Sequence, residues 1–412
     1  MQRLNIFWKL YFLDFIYSGI IRGFVPILLG NILYFARAII VLTIFIFLLK
    51  NAKSFMKGGG VFSFTCFLLI SYQSTLLLFD EIDLKTFFYG LYLYVIPLIG
   101  LICTSAVNTG QVIKAFRKIL LISILINLCV ALLQTVFKVT ELYSAGFGVG
   151  LYSTGEVQRA TGTFSSAAGF AIYMSVCFAL MLSLDSMNPG SIPQFHWIAL
   201  LVMLGLSGSR TTVLNFAFVF LFLVLLGARA KELKSKVVRL LLLAIPSIGV
   251  VAFIPDSRNV VNAGINRFIE ANKVDPPLQR IVNQLWVREW DWNPIGSGLG
   301  SRSLGSVINV DVRVTFSKWI EFDNARILSE AGWVLFLMIL LVKIMIIVRG
   351  IQYRKIQEKR YRSVGLALLL SCLPWVISGQ IFGQASVASG TFLMVYLLLG
   401  VSELHEPKER EL

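Results

Sequence analysis

Apolar runs of about twenty residues recur along this chain, and each is as long as a helix needs to cross the hydrocarbon core of a bilayer. Lipid offers backbone N–H and C=O groups no partners, so runs of this kind demand helices. Of the 412 residues, 57% are hydrophobic and 14% charged, where a soluble domain carries roughly a quarter charged residues. Mean hydropathy is +0.78. The roughly ten-residue alternating strands of an outer-membrane barrel are absent. The expectation is therefore an all-α polytopic membrane protein, with residues 1–412 forming a single integral membrane domain of about twelve transmembrane helices. No cleavable signal is evident, because Met1–Leu10 has Arg3 and Lys9 but no short apolar run ending in a small-residue cleavage site.

Spans are expected near 10–29, 32–49, 61–79, 84–104, 118–137, 167–184, 192–207, 211–227, 238–254, 328–348, 363–382 and 385–401. Asp14, Arg22 and Pro26 interrupt the first, which reads alternatively as an interfacial helix. The net charge of +15 reflects topology better than nucleic-acid binding, since the basic residues gather in short loops, as cytoplasmic loops do. Those loops hold Lys50, Lys53 and Lys57; Lys114, Arg117 and Lys118; Arg229 to Arg239; and Arg349 to Arg362. Counting spans puts all four on one face, together with both termini. The opposite face receives the acidic turn Asp80, Glu81, Asp83, the segment 139–166 and one large extracytoplasmic loop, 255–327. That loop carries nine Lys/Arg and eight Asp/Glu. Within it Leu278, Ile281, Val282, Leu285 and Trp286 recur at helical spacing, which suits a helix on the outer leaflet or one docked on the bundle.

Cys66, Cys103, Cys129, Cys177 and Cys372 fall in apolar runs and read as small core residues. His196 and His405 are the only histidines, so no metal site is expected. Four outer-face clusters could carry chemistry: Gln158–Phe164; Ser207-Gly208-Ser209-Arg210; Asn293–Arg302; and Glu321-Phe322-Asp323-Asn324 followed by Glu330-Ala331-Gly332. Arg159 and Arg210 lie at span ends on one side. Their guanidinium forks suit phosphate oxygens; snorkelling or pairing with an acid explains Arg159 equally well, whereas the tight turn that should aim Arg210 at the bundle mouth favours function there. Arg302 is a further cation and equally a solvated one. Arg22 and Arg37 would share a depth if the first two spans form a hairpin, and would then need an anion or an acid partner. Gly296, Gly298 and Gly300 permit positive φ and close backbone approach. No strand–helix unit surrounds them, so a tight turn explains them better than a dinucleotide fingerprint. Asp323, at the mouth of the expected bundle, could take a hydroxyl proton, with Glu321 as its competitor; a helix N-cap or a surface charge accounts for either equally well.

In order, Arg159–Phe164, Ser209-Arg210, Pro294–Gly300, Asp323-Asn324 and Glu330-Ala331-Gly332 resemble the O-antigen polymerase and ligase family of bacterial membrane glycosyltransferases, over roughly residues 150 to 400. The resemblance implies a glycosyltransferase-C-like fold in the cytoplasmic membrane and no cofactor or metal. It implies catalysis on the outer face, with polyprenyl-pyrophosphate-linked glycans as donor and acceptor. Arg159 and Arg210, with Arg302, would hold pyrophosphate, and Asp323 or Glu321 would serve as base. The lipid bilayer is the medium, no nucleic acid is involved, and the resemblance leaves room for a chain-length regulator protein. Ligases usually place a histidine before the asparagine matching Asn324; Asp323 stands there instead, which favours a polymerase that extends a cell-surface or secreted polysaccharide. The rivals are a ligase moving a finished glycan to another acceptor and a non-enzymatic lipid-linked sugar transporter.

Overall fold

The computed structural model describes residues 2–25, 27–49, 60–106, 108–135, 160–225 apart from 165, 294–302, and 323–402 apart from 379–380. Residues 137, 153–154, 157–158 and 269 are also described. Eleven helices lie within them. They are α1 (Gln2–Phe24), α2 (Ile27–Leu49), α3 (Gly60–Leu78), α4 (Leu84–Ile102), α5 (Thr109–Thr135), α6 (Ala167–Met187), α7 (Gln194–Ser207), α8 (Arg210–Leu225), α9 (Asp323–Ile351), α10 (Lys359–Ser378) and α11 (Ala385–Ser402). A minimal antiparallel hairpin pairs Ser153–Thr154 with Val157–Gln158. The expected span 238–254 and most of the expected loop 255–327 lie outside the described residues.

Five of these helices are long and apolar enough to cross a membrane: α3, α4, α5, α6 and the α9 segment. The chain is thus an all-α membrane protein, although the described residues do not supply twelve such spans. α1 is not among the five. Its Trp8, Phe12 and Phe15 are buried, and it packs on α2, α5 and α11. The helix also begins well before residue 10, because Trp8, Tyr11, Phe12 and Phe15 fall at helical spacing and bury one face.

The centre of the bundle is α6. Its most apolar stretch is 94% buried, and it meets α5, α7, α8, α10 and α11. Ser166 caps it, accepting from the Gly169 amide at 3.0 Å. α4 is capped by Asp83, which accepts from the Thr86 amide at 2.7 Å. Hydrogen bonds from the Thr86 side chain and then its amide hold the exposed Asp83 carboxyl below the usual carboxylate range. A π-helical stretch at Leu91–Val95 interrupts α4, and the extra residue per turn re-aims Tyr92 and Tyr94 into the interior. Four of the cysteines are buried as expected, but Cys129 is exposed on α5. Lys114, Arg117 and Lys118 belong to α5, whose start at Thr109 lies well before the expected boundary.

Candidate functional site

α9 contains the most consequential departure from expectation. Gly332 sits inside it at φ 70°, ψ 171°, a conformation essentially restricted to glycine. The Lys343 ammonium nevertheless reaches the Asp323 carboxylate at 2.9 Å. Twenty residues of straight helix would separate them by about 30 Å. The chain must therefore double back at Gly332, laying Asp323–Ala331 beside the following helix. A side chain at Gly332 would collide with the Pro294 carbonyl.

The reversal assembles a buried charge cluster. Asp323, Arg326 and Glu330 share one face of the short first half, three and four residues apart. Asp323 is 1% exposed and pairs with Arg326 on one oxygen and Lys343 on the other. The Phe382 amide also donates to it, at 3.4 Å. Lys343 donates to Asn324 at 3.0 Å as well. Arg326 Nε lies 3.9 Å from Glu330. Two carboxylates thus balance two cations, as buried charges require. The expectation of Asp323 at the mouth of the bundle, or on the surface, is corrected: it is an interior residue, because the reversal carries the start of α9 inward.

Glu330 joins this cluster to the glycine segment. Its carboxylate accepts from the Tyr94 hydroxyl at 2.6 Å, the Gly300 amide at 2.9 Å and the Arg302 amide at 2.8 Å. Gln73 holds both backbone groups of Leu299, at 2.9 and 3.1 Å. The Tyr72 hydroxyl lies 2.6 Å from the Ile295 carbonyl and 2.8 Å from the Glu330 carbonyl, and accepts from the Gly298 amide at 3.2 Å. Gly296, Gly298 and Gly300 take φ of 80°, 94° and 83°, as tight turns need. The residues 294–302 are therefore a plug, fastened through backbone groups to α3 and α9. Arg302 contributes its amide to this fastening and leaves its side chain half-exposed.

The segment after Arg159 is equally well held. Gln134 accepts from the Thr161 and Gly162 amides, both at 3.0 Å, and Asn127 from the Thr163 amide at 2.9 Å. The Ala160 amide donates to the Leu206 carbonyl at 3.3 Å, so this segment lies against the end of α7, just before Arg210 opens α8. Ser166 reaches Gln384 at 3.5 Å, within the same turn that presents Phe382 to Asp323. Arg159, Glu321 and the side chain of Arg210 lie outside the described residues.

Arg326 and Lys343 are absent from the sequence-derived candidates. Arg326 is fully buried, against Asp323, Glu330 and Tyr94. Gly383 lies so close that a Cβ there would overlap the guanidinium. Two signals pointed to the pair. Asp323, Arg326 and Glu330 recur at helical spacing, and Lys343 is a lone cation inside an apolar run, which marks a functional suspect.

A scan against protein-family models gives no match, and a search of curated proteins gives none either.

Proposed function

We propose that this protein is a metal-independent membrane glycosyltransferase that polymerises polyprenyl-pyrophosphate-linked oligosaccharide repeat units. Its place would be the outer face of a bacterial cytoplasmic membrane, with both termini cytoplasmic, as the Lys/Arg bias favours. One observation carries the reading. Three motifs far apart in the chain adjoin: Ala160 is bonded to Leu206 beside the start of α8, Ser166 meets Gln384, and Phe382 in the same turn meets Asp323.

In this reading Arg159 and Arg210 gather the pyrophosphate charge, which lowers the barrier electrostatically and by positioning. Asp323 receives the acceptor hydroxyl's proton. Its oxygens already accept from Arg326, Lys343 and the Phe382 amide, so the Phe382–Gln384 turn has to move for an acceptor to reach it. The test is reconstitution with lipid-linked repeat units. Wild type should lengthen the glycan; Asp323→Asn and Arg210→Ala should stay in the membrane and produce none of the longer products. A normal ladder from both variants refutes these roles.

The broken α9 favours a second reading, a non-enzymatic transporter of lipid-linked sugar. Discontinuous helices with charged groups inside the bundle are a transporter feature. The same reconstitution separates the two, since a transporter moves the lipid-linked sugar without lengthening it.

A further inference from the structure

α1 and α2 carry a buried charge pair that the proposed chemistry leaves unused. Arg37 is 3% exposed. Its Nε lies 2.6 Å from Asp14, so Asp14 is the acid partner that the sequence required. Its Nη2 donates to Ser18 Oγ on α1 at 2.9 Å. Its Nη1 crosses to the first turn of α11, donating to Ser389 Oγ at 2.7 Å and the Ala385 carbonyl at 3.1 Å. The Tyr11 hydroxyl adds a bond to the Ser389 carbonyl at 3.2 Å. Together α1 and α2 grip the start of α11.

Helix stability does not call for a cation there. The first turn of a helix is the positive end of its dipole, and a lone guanidinium beside it is unfavourable. Asp14 cancels that charge, so the pair holds α11 where Arg37 alone would not. What it holds is the end of the turn over Asp323. The Phe382 amide reaches Asp323 at 3.4 Å, Ser166 reaches Gln384 at 3.5 Å, and Phe382 stacks on Tyr94. Both of those hydrogen bonds are long and weak. The firmer polar hold is one residue further on, where Arg37 takes Ala385 and Ser389. A cavity of about 20 Å³ lies beside these bonds, bordered by Arg37, Tyr92, Ala385 and Ser389. It has room for one water, which can serve the α11 acceptors when Arg37 lets go, so opening stays local.

We propose that Asp14 and Arg37 are a positioning pair, the latch that sets how often the Phe382–Gln384 turn uncovers Asp323. With the latch intact the turn is closed nearly all the time. An acceptor that binds only the open form then has an apparent affinity reduced by the open fraction. Loosening the latch raises that fraction and leaves the reacting groups untouched. The catalytic consequence rests on the polymerase reading; the opening of the turn does not.

The experiment uses the full chain in dodecyl maltoside and reads amide hydrogen exchange at Phe382–Gln384 by mass spectrometry. Arg37→Gln should accelerate it about tenfold, the effect of losing two hydrogen bonds, with α3 and α7 unchanged. Arg37→Lys, which keeps the charge pair and loses the fork, should lie between wild type and Arg37→Gln. Asp14→Asn should also accelerate exchange. The double variant should exchange no faster than Arg37→Gln alone, because the acid acts through the arginine. Reconstituted Arg37→Gln should show a KM for the acceptor lowered by the same factor at unchanged kcat, whereas a damaged bundle would lose kcat. Exchange within about twofold of wild type, equal acceleration in α3 and α7, or additive effects of the two substitutions would overturn the latch. An unmoved KM beside accelerated exchange would overturn its control of access. Wild type that lengthens no glycan would sink the polymerase reading alone, since exchange still decides the latch. Ser389→Ala, which loses a single acceptor, should give about threefold and decides the matter if Arg37→Gln fails to fold.

Discussion

Replacing Glu330 by Gln removes a charge and almost no volume, so it isolates what the carboxylate does. One oxygen accepts from the Arg302 amide; the other accepts from the Gly300 amide and the Tyr94 hydroxyl. A carboxamide offers one oxygen and one NH2. Whichever way it is turned, at least one backbone N–H meets a donor, at a cost of about 1–3 kcal/mol for an unsatisfied buried group. Arg326, 3.9 Å away, also loses a countercharge. Breaking a buried pair outright costs about 3–5 kcal/mol, and a residual amide dipole recovers part of that. The expected net loss is about 3 kcal/mol, or about two decades in the equilibrium for releasing the 294–302 plug. Amide hydrogen exchange at Gly300 and Arg302 reads this directly and should accelerate about a hundredfold. A change below about threefold at both amides, less than 1 kcal/mol, would refute the assignment of Glu330 as the latch.

Gly383→Ala should push the Phe382–Gln384 turn off the Arg326 guanidinium and lower stability by about 2–3 kcal/mol, as overpacking does; an unchanged thermal midpoint in detergent would contradict that close approach. Asp83→Ala should cost about 1 kcal/mol at neutral pH through loss of the α4 cap. The Asp83 carboxyl is held below its ordinary value of 3.8 by hydrogen bonds from the Thr86 side chain and amide. A depressed folded-state value gives stability that is full above the unfolded value and fades as pH falls through the folded one. The gap between wild type and variant should therefore close below pH 3.8, and a gap that persists there would exclude the cap as its source.

Helix positions were largely legible. The apolar run expected at 167–184 appears as Ala167–Met187, and the one at 385–401 as Ala385–Ser402. Length and hydropathy are local properties, so a window along the chain captures them. The turn character of Gly296, Gly298 and Gly300 was legible for the same reason. Charge partners were not. Asp14 read as a flaw in a span until α2 brought Arg37 to it, and Lys343 had no visible role until Gly332 folded α9 back on itself. Boundaries set by packing also slipped, as at the start of α5, where the first turns carry Lys114, Arg117 and Lys118.

Hydropathy cannot say which helix is central, because lipid and protein interior are both apolar. α3 and α6 have mean hydropathies of 1.7 and 2.0, yet 33% of the first window is buried and 94% of the second. Amino-acid order alone establishes that this chain forms apolar helices, since each run must satisfy its own backbone within lipid. Which helix lies inside, and which charges neutralise one another, follows only from the three-dimensional arrangement. Ion pairs join residues tens of positions apart, and a single reversal at Gly332 decides which of them can meet.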